Sequence, residues 1–321
     1  MTIGALVVGL GRIGMGFDMD LDPEAHVLTH ARAFQKHPRF RLIGGVDEDW
    51  SRCRMFQEHY GCPAFADLKK ALQAMRPEVV AIATPTPLHA ENLRTVLEFS
   101  EPKAILCEKP LSSDIGQARE MTGMCLRHSC KLYVNYIRRS DLGMLEVKRR
   151  LDANLIEKPV KGVAWYSKGL FHNGSHFFNL LQFWLGPMKR FKIIEAGRLW
   201  DGADPEPDML VEFDRGTMMF LAAREECFSH YTVELVAPNG RLRVEHGGES
   251  IRWQPTQGDP VADGYTVLSS LAEKIETGMT HYQWHVADQL ALSIDGTRAN
   301  LCTGAEALET LSSLHEIKAA L

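Results

Sequence analysis

The sequence predicts an α/β part followed by an α+β part: a doubly wound parallel sheet, then a domain built on a large, mainly antiparallel sheet. Two patterns predict this architecture. Up to residue 136, short apolar strands alternate with helical stretches, which is typical of a parallel sheet covered by helices on both faces. From residue 137 to 321, strand-like runs follow one another, with turn sequences between neighbours. We therefore expect two domains, 1–136 and 137–321, divided where the pattern changes.

The first part is built from short apolar runs and helical stripes. Strands are predicted at 2–8, 41–47, 78–84, 103–110 and 131–136. Helices are predicted at 32–36, 67–75, 88–99 and 115–128. In the second of these helices, Leu68, Ala71, Leu72 and Met75 recur at the spacing of one helix face.

The second part changes to strands joined by short turns. Strand-like runs lie at 160–168, 190–200, 208–216, 217–226, 231–238, 241–247 and 250–255. Residues 214–216 and 238–240 are turn sequences between neighbouring runs, which indicates hairpins. Helices are predicted at 142–154, 175–185 and 304–321.

Bulk composition excludes several classes of protein. The 321 residues suffice for about two domains, and the net charge of -5 gives no basic surface for nucleic acid. No apolar run approaches the roughly 20 residues of a membrane span, and the N-terminus has no basic start typical of a signal peptide. The seven cysteines are odd in number and form no Cys-x-x-Cys, which favours reduced thiols and a cytoplasmic location. The sequon at Asn173 is then idle.

A glycine-rich turn directly follows the first strand. Gly9, Gly11 and Gly14 form G-x-G-x-x-G, with Arg12 and Ile13 inside the motif. Glycine at these positions permits a tight turn and the close approach of a pyrophosphate to helix N–H groups. The alternative is a plain strand-to-loop turn.

An acidic residue ends the second strand, where a dinucleotide fold binds the adenosine ribose. Asp47 lies later than the usual ~20 residues after the glycines, and residues 16–29 account for the delay as an insertion. Asp47, Glu48 and Asp49 would repel a 2′-phosphate, so we expect NAD in preference to NADP. A solvated acidic turn is the alternative, and a lysine or arginine elsewhere in the loop would still admit NADP.

Two loops leave the carboxyl ends of the next strands, where a cofactor should lie. The first carries Thr84, Pro85 and His89, and the second carries Glu108 and Lys109. We expect all five to bind the cofactor. A lysine in such a dry position can shift its pKa and can polarise a carbinol or carbonyl oxygen.

Two histidines, His172 and His176, precede a long apolar run. Asn173-Gly174 is a turn signal, so we place His172 before a helix that begins near Ser175, and His176 in its first turn. No third ligand is evident, so a metal site is not expected. The choice that remains is between a pair of hydrogen-bonded pocket histidines and catalysis of proton transfer.

These motifs together resemble the Gfo/Idh/MocA oxidoreductases, the group of glucose–fructose oxidoreductase and inositol dehydrogenase. The resemblance is carried by GLGRIG (9–14), GVDED (45–49), ATPTPLHAE (83–91), CEKPL (107–111) and NGSHFFNLLQFWLG (173–186). It implies an N-terminal Rossmann domain, NAD or NADP as cofactor, and a sugar, cyclitol or sugar nucleotide as substrate. It also implies subunit contacts through the second sheet, in a homodimer or homotetramer.

The resemblance further implies roles for single residues. Lys109 matches the lysine that assists proton transfer, with a Lys109–Pro110 bond that can be cis, and His176 matches the late histidine. His172 departs from the family, which usually has aspartate there. With Lys168 close by in sequence, we expect a basic substrate pocket of Lys109, Lys168, His172, Asn173 and His176 that suits an anionic substrate.

Two other functions stay open because of His172. One is a nucleotide-binding regulator that has lost its chemistry. The other is an NAD-dependent hydrolase or lyase in which a transient oxidation labilises a bond.

Overall fold

The structure, a computed structural model, describes residues 2–321. Its strands are β1 (Ile3–Val8), β2 (Phe40–Val46), β3 (Ala64–Phe65), β4 (Val79–Ile82), β5 (Ala104–Cys107), β6 (Lys131–Val134), β7 (Val160–Tyr166), β8 (Met188–Glu195), β9 (Leu199–Trp200), β10 (Asp204–Pro205), β11 (Asp208–Phe213), β12 (Gly216–Ala222), β13 (Thr232–Ala237), β14 (Gly240–Glu245), β15 (Ser250–Gly258), β16 (Thr266–Leu268), β17 (Glu273–Ile275) and β18 (Cys302–Thr303). Its α-helices are α1 (His30–Lys36), α2 (Trp50–Tyr60), α3 (Leu68–Met75), α4 (His89–Phe99), α5 (Ile115–Arg127), α6 (Leu142–Asp152), α7 (Ser175–Leu185), α8 (Tyr282–Ile294) and α9 (Gly304–Ala319).

The chain forms two compact units. The first contains residues 2–140 and Thr280–Glu309, and the second contains Asp141–Met279 and Thr310–Leu321. This differs from the expected division at 136/137, because a late segment returns to the first unit. The return has a packing reason: Val286, Ala287 and Leu290 of α8 are buried in the first unit's core, and β18 pairs with β6.

The first unit is a twisted parallel sheet with the order β3-β2-β1-β4-β5-β6-β18. Every pairing is parallel except that of β18 with β6. The chain leaves β1 in one direction towards β2 and later resumes on its other side with β4. In doubly wound sheets such a reversal marks the edge at which ligands bind, beyond the carboxyl ends of the strands.

Local capping explains where several helices of this unit begin. Asp67 and Asp114 accept hydrogen bonds from the first turns of α3 and α5, as carboxylates at helix N-termini do. Helix α2 was not predicted; Asp49 caps it, and it buries only Cys53, Phe56 and Tyr60. Helix α8 was not predicted either.

The second unit is built on a nine-stranded sheet with the order β16-β15-β14-β13-β7-β12-β11-β8, and β17 pairs with β15. The pairing of β7 with β12 is parallel and the others are antiparallel. The two predicted hairpin turns join β11 to β12 and β13 to β14. One face of the sheet lies on an apolar core with α6 and α7, centred on Phe178, Trp184 and Phe220. The predicted fold class is therefore confirmed.

Candidate active site

The turn after β1 is so tight that two positions require glycine. Gly9 has a φ of 93°, and a Cβ there would lie 2.7 Å from the carbonyl carbon of Ala83. A Cβ on Gly14 would lie 1.9 Å from the carbonyl oxygen of Gly9. Residues Arg12–Gly16 then form a single π-helical turn. The backbone is thus bare at the sheet edge, which is the cradle that a pyrophosphate needs.

A cavity of about 570 Å³ opens beside this turn. It is lined by seven of the residues predicted to bind the cofactor: Gly9, Gly11, Arg12, Ile13, Asp47, Thr84 and Pro85. It is also lined by Phe17, Glu48 and Arg52. The residues present therefore fit a dinucleotide, and when bound it would lie along this edge of the sheet.

Asp47 ties the acidic end of this cavity to the glycine turn. Its Oδ2 accepts a hydrogen bond from the backbone N–H of Leu10 at 2.8 Å, and its Oδ1 accepts one from Asp49 at 2.9 Å. The guanidinium of Arg52 lies 3.4 Å from Oδ2. Arg52 was missed from the sequence; it offsets part of the acidic charge on which the preference for NAD was argued.

The insertion at 16–29 is held in place by a buried aspartate. Asp18 accepts hydrogen bonds from the backbone N–H groups of Leu28 (2.7 Å) and Thr29 (3.0 Å) and from the Thr29 hydroxyl (2.8 Å). Arg12 lies over the ring of Phe17, with 4.5 Å between the guanidinium carbon and the ring centroid. The insertion therefore adds Phe17 to the wall of the cavity.

His89 lies between the two loops that were predicted to bind the cofactor. Its Nε2 is 2.9 Å from the carbonyl oxygen of Thr84, and its Nδ1 is 3.1 Å from that of Pro110. The side chain is buried. His89 therefore joins the Thr84 loop to the Lys109–Pro110 loop.

Glu108 and Lys109 follow β5 at the same edge of the sheet. The Lys109–Pro110 peptide bond is cis, as the resemblance implies, and Lys109 is half-buried. The Glu108 carboxylate is 2.8 Å from His30 Nε2 and accepts a hydrogen bond from Asn135. His30 lies outside the motifs of the sequence. It reaches Glu108 because it is the first residue of α1, which follows the insertion.

In the second unit, the two histidines lie on one continuous helical stretch. Residues Gly169–Gly174 form a π-helical turn, and α7 follows directly, with helical dihedral angles at Gly174 and Ser175. His172 therefore precedes α7, as expected, but it lies in a helical turn that is continuous with α7. The glycine does not break the helix here, because it is buried against the ring of Tyr166, where a Cβ would come within 3.0 Å.

Two carboxylates from a distant segment cap this turn. Asp204 accepts hydrogen bonds from the backbone N–H groups of Phe171 at 2.9 Å and His172 at 2.8 Å, and Glu206 accepts one from Gly169 at 3.0 Å. The N-cap residue of α7 is Gly174, and no side chain of Ser175 or Asn173 caps the helix. Burial raises the pKa of Asp204, and the hydrogen bonds from the backbone oppose the rise. Both carboxylates were missed, since capping over more than 30 residues leaves no local pattern.

The two histidine side chains differ in exposure. His172 is exposed, and its ring lies 5.2 Å from that of Trp200, measured between centroids, at an angle of 34°. His176 and Asn173 are half-buried, and His176 lies in the first turn of α7 as predicted.

Lys168 does not supply an unbalanced positive charge. Its Nζ lies 2.8 Å from a carboxylate oxygen of Glu225, which also accepts hydrogen bonds from Ser167 and Tyr231. The pairing raises the pKa of Lys168, and these groups together lower the pKa of Glu225 to about 2 against the effect of burial. The basic pocket expected from the sequence is therefore weakened at this position.

Residues 2–321 contain neither a metal-binding cluster nor a helix that could span a membrane. No group of three or more His, Cys, Asp or Glu side chains is placed to hold a metal ion. No helix in this range is both long and apolar enough to cross a membrane.

Comparison with known proteins identifies the first unit. Residues 3–136 match the Gfo/Idh/MocA family, described as an oxidoreductase family with an NAD-binding Rossmann fold. The match covers less than half of the 321 residues. It confirms the resemblance, the Rossmann fold and the nicotinamide class of cofactor that the motifs indicated.

Curated proteins match the first half of the chain. Inositol 2-dehydrogenase of Rubrobacter xylanophilus is 31% identical over 130 residues, which is 40% of this chain and 37% of the relative. Inositol 2-dehydrogenase of Rhizobium meliloti is 27% identical over 152 residues, 47% of this chain and 41% of the relative. The chain thus spans less than half the length of the curated relatives that it matches.

Solved structures match the fold over both units. The WlbA dehydrogenase of Bordetella pertussis, in complex with NADH and UDP-GlcNAcA, has a TM-score of 0.77 at 16% identity, covering 99% of this chain and 95% of the other. The aldose-aldose oxidoreductase of Caulobacter crescentus, complexed with glycerol, has a TM-score of 0.80 at 16% identity, covering 100% and 97%. At these identities the likeness shows the fold alone.

Proposed function

We propose that the chain is an NAD(P)-dependent dehydrogenase or reductase acting on a carbinol or carbonyl carbon of an uncharged polyol, either a cyclitol or a sugar. The observation that carries the proposal is the glycine cradle of residues 9–14. It opens onto a cavity lined by Asp47 and Thr84, within a segment that matches NAD-binding oxidoreductases. Such a cradle serves a dinucleotide.

The uncharged substrate is favoured by the charges of the second unit. Lys168 is paired with Glu225, and the turn that carries His172 is capped by Asp204 and Glu206. These contacts leave little excess positive charge to attract an anionic sugar. The relatives named inositol 2-dehydrogenase support a cyclitol as the first substrate to try.

The chemistry proposed for the protein's own residues is acid–base. A nicotinamide bound at this edge of the sheet would supply hydride transfer to or from the substrate carbon. Lys109 donates a hydrogen bond to the substrate oxygen and stabilises the alkoxide that develops there. His176 takes the hydroxyl proton, with His172 as the alternative base. Acid–base assistance of this kind contributes about 10²–10⁴-fold in rate.

The first test measures turnover with NAD+ or NADP+ and a panel of myo-inositol, D-xylose and a sugar nucleotide that bears a carboxylate. We expect a rise in absorbance at the nicotinamide band with a neutral polyol. No change in absorbance with any substrate would favour the nucleotide-binding regulator instead. Loss of substrate without net reduction of cofactor would indicate the hydrolase or lyase.

A pair of variants then assigns the base. His176→Ala should lower kcat by about 10²–10⁴-fold and leave the Kd for NAD+ unchanged, because the cofactor cavity is lined by the first unit. His172→Asp restores the residue usual in the family and serves as the matched variant. If His172→Ala loses the activity while His176→Ala retains it, the roles of the two histidines are reversed.

A further inference from the structure

A buried polar cluster surrounds Glu108, next to Lys109. Its members are His30 at the start of α1, Asn135 after β6 and Gln283 in α8, each at most 2% exposed. Glu108 Oε1 lies 2.8 Å from His30 Nε2 and accepts a hydrogen bond from Asn135 Nδ2 at 2.6 Å. His30 and Asn135 thus contact the carboxylate, and Gln283 contacts both of them. Burying so many polar groups is costly unless each is paired, so the arrangement calls for a function.

The hydrogen bonds assign the protons of the cluster. Gln283 Nε2 lies 2.6 Å from His30 Nδ1 and 3.2 Å from His30 Nε2. A carboxylate only accepts, so His30 Nε2 carries a ring proton directed at Glu108. Gln283 Oε1 accepts from Asn135 Nδ2 at 3.2 Å, which fixes the orientation of the amide.

These contacts keep Glu108 ionised. Burial raises the pKa of its carboxyl group, but the hydrogen bonds from His30 and Asn135 and the nearby charge of Lys109 outweigh burial, so the pKa lies below its usual value. Glu108 is also largely withdrawn from water, with 14% of its side chain exposed. A charge in such a position is screened less by solvent and salt than a surface charge.

The place of Glu108 in the sheet determines what the charge acts on. Asp47 ends β2, on one side of β1, whereas Glu108 follows β5, on the other side beyond β4. A dinucleotide crosses a doubly wound sheet at this reversal, with its adenosine ribose at the acidic residue after the second strand. The nicotinamide end therefore belongs to the side of β4 and β5. The nicotinamide ring carries a positive charge when oxidised and none when reduced.

We propose that Glu108 is a fixed negative charge that strengthens the binding of oxidised nicotinamide relative to the binding of reduced nicotinamide. His30, Asn135 and Gln283 are positioning residues that hold the carboxylate in place and ionised. The inference rests on the proposed function, because it takes the cofactor to be a nicotinamide dinucleotide. It adds to that function a preference for the oxidised cofactor, which makes the potential of the bound couple more negative.

The test is the ratio of the Kd for NAD+ to the Kd for NADH, measured by calorimetry without substrate. Glu108→Gln keeps the shape of the side chain and removes the charge, so we expect the ratio to rise about tenfold. That rise corresponds to a shift of about 30 mV, towards positive values, in the potential of the bound couple. His30→Phe should raise the ratio by a smaller factor, because Asn135 still donates to Glu108, and His30→Gln should restore it.

His37→Phe is the matched control. His37 is a second buried histidine, at the end of the same helix α1, but it faces Asp288 and Trp284 instead of the cluster. Its replacement should alter thermal stability and leave the ratio unchanged.

The outcomes separate the two proposals. If Glu108→Gln weakens NAD+ and NADH equally, or neither, the charge has no such role, and the dehydrogenase proposal still stands. If the ratio rises as expected but no polyol is oxidised, the substrate proposal fails and the role of Glu108 stands. If the wild-type protein binds neither NAD+ nor NADH, both proposals fail.

Discussion

At the scale of single residues, the charge of Lys168 is set by a partner far away in sequence. Glu225 accepts hydrogen bonds from the hydroxyl groups of Ser167 and Tyr231 at 2.7 and 2.8 Å in addition to the ammonium of Lys168. Its carboxylate is therefore stabilised in the folded state, where its pKa is about 2. Because the pKa is lower in the folded than in the unfolded chain, ionisation of Glu225 stabilises the fold above the unfolded pKa.

This linkage predicts how stability depends on pH. Glu225→Gln should lower the free energy of unfolding at pH 7, and the difference from wild type should narrow as the pH falls below about 4.3, the usual pKa of glutamate. Urea unfolding at pH 7, 4 and 3 measures the difference. Glu249→Gln, at an exposed glutamate in the same unit, is the control. A difference that stays constant with pH would mean that Glu225 stabilises the fold by shape alone.

The residues that the sequence revealed are those with local signals. Gly9 directly follows β1 and Asp47 directly follows β2, so their places at the cavity could be predicted. His30, Gln283, Asp204 and Glu225 could not, because each reaches its partner across more than 30 residues of intervening chain. Such contacts depend on the packing of whole elements, which a single sequence does not display.

At the scale of elements, the π-helical turn Gly169–Gly174 is where prediction from local patterns fails. A glycine beside an asparagine normally indicates a break in a helix, yet the helical backbone continues through Gly174. The first turn of a helix leaves N–H groups without intrahelical partners. Here Asp204, on the two-stranded β9–β10 ribbon, accepts from this turn, so the ribbon and the histidine-bearing turn depend on each other.

Removing that carboxylate should disturb the turn. Asp204→Ala leaves the N–H groups of Phe171 and His172 without their acceptor, and we expect a loss of about 1–3 kcal/mol in the free energy of unfolding. Because the turn carries His172, KM for the polyol should rise, while the Kd for NAD+ is unaffected. Asp201→Ala, at an exposed aspartate of the same ribbon, is the control. Equal effects of the two changes would refute a capping role for Asp204.

At the scale of the whole molecule, the pattern of the sequence determined the architecture but not the path of the chain. Alternating strands and helices indicated the first sheet, and hairpin turns indicated the second. The return of Thr280–Glu309 to the first unit was not predicted, because a helix such as α8 carries no mark of the core in which it will be buried. One member of the Glu108 cluster, Gln283, lies in this returning segment, so the cluster could not be predicted from the sequence either.

The second sheet presents one face that its own unit leaves partly uncovered. Trp165 is 36% exposed there, and Leu221 and Thr232 flank it on the neighbouring strands β12 and β13. Val236 on the same face is 51% exposed. Exposed apolar side chains on an uncovered sheet face favour a protein–protein contact. We propose that this open face binds a second copy of the chain, as the family resemblance implies.

The proposal predicts a change in mass when the open face is altered. Wild-type protein should be a dimer or tetramer in solution, and Trp165→Glu should dissociate it, because a charge buried in an apolar contact has no partner there. Light scattering coupled to gel filtration gives the mass of each variant. Leu126→Glu is the control, since Leu126 is 81% exposed on α5 of the first unit and its replacement adds the same charge away from the sheet. A wild-type monomer, or a Trp165→Glu variant of unchanged mass, would show that the open face is not the contact between subunits.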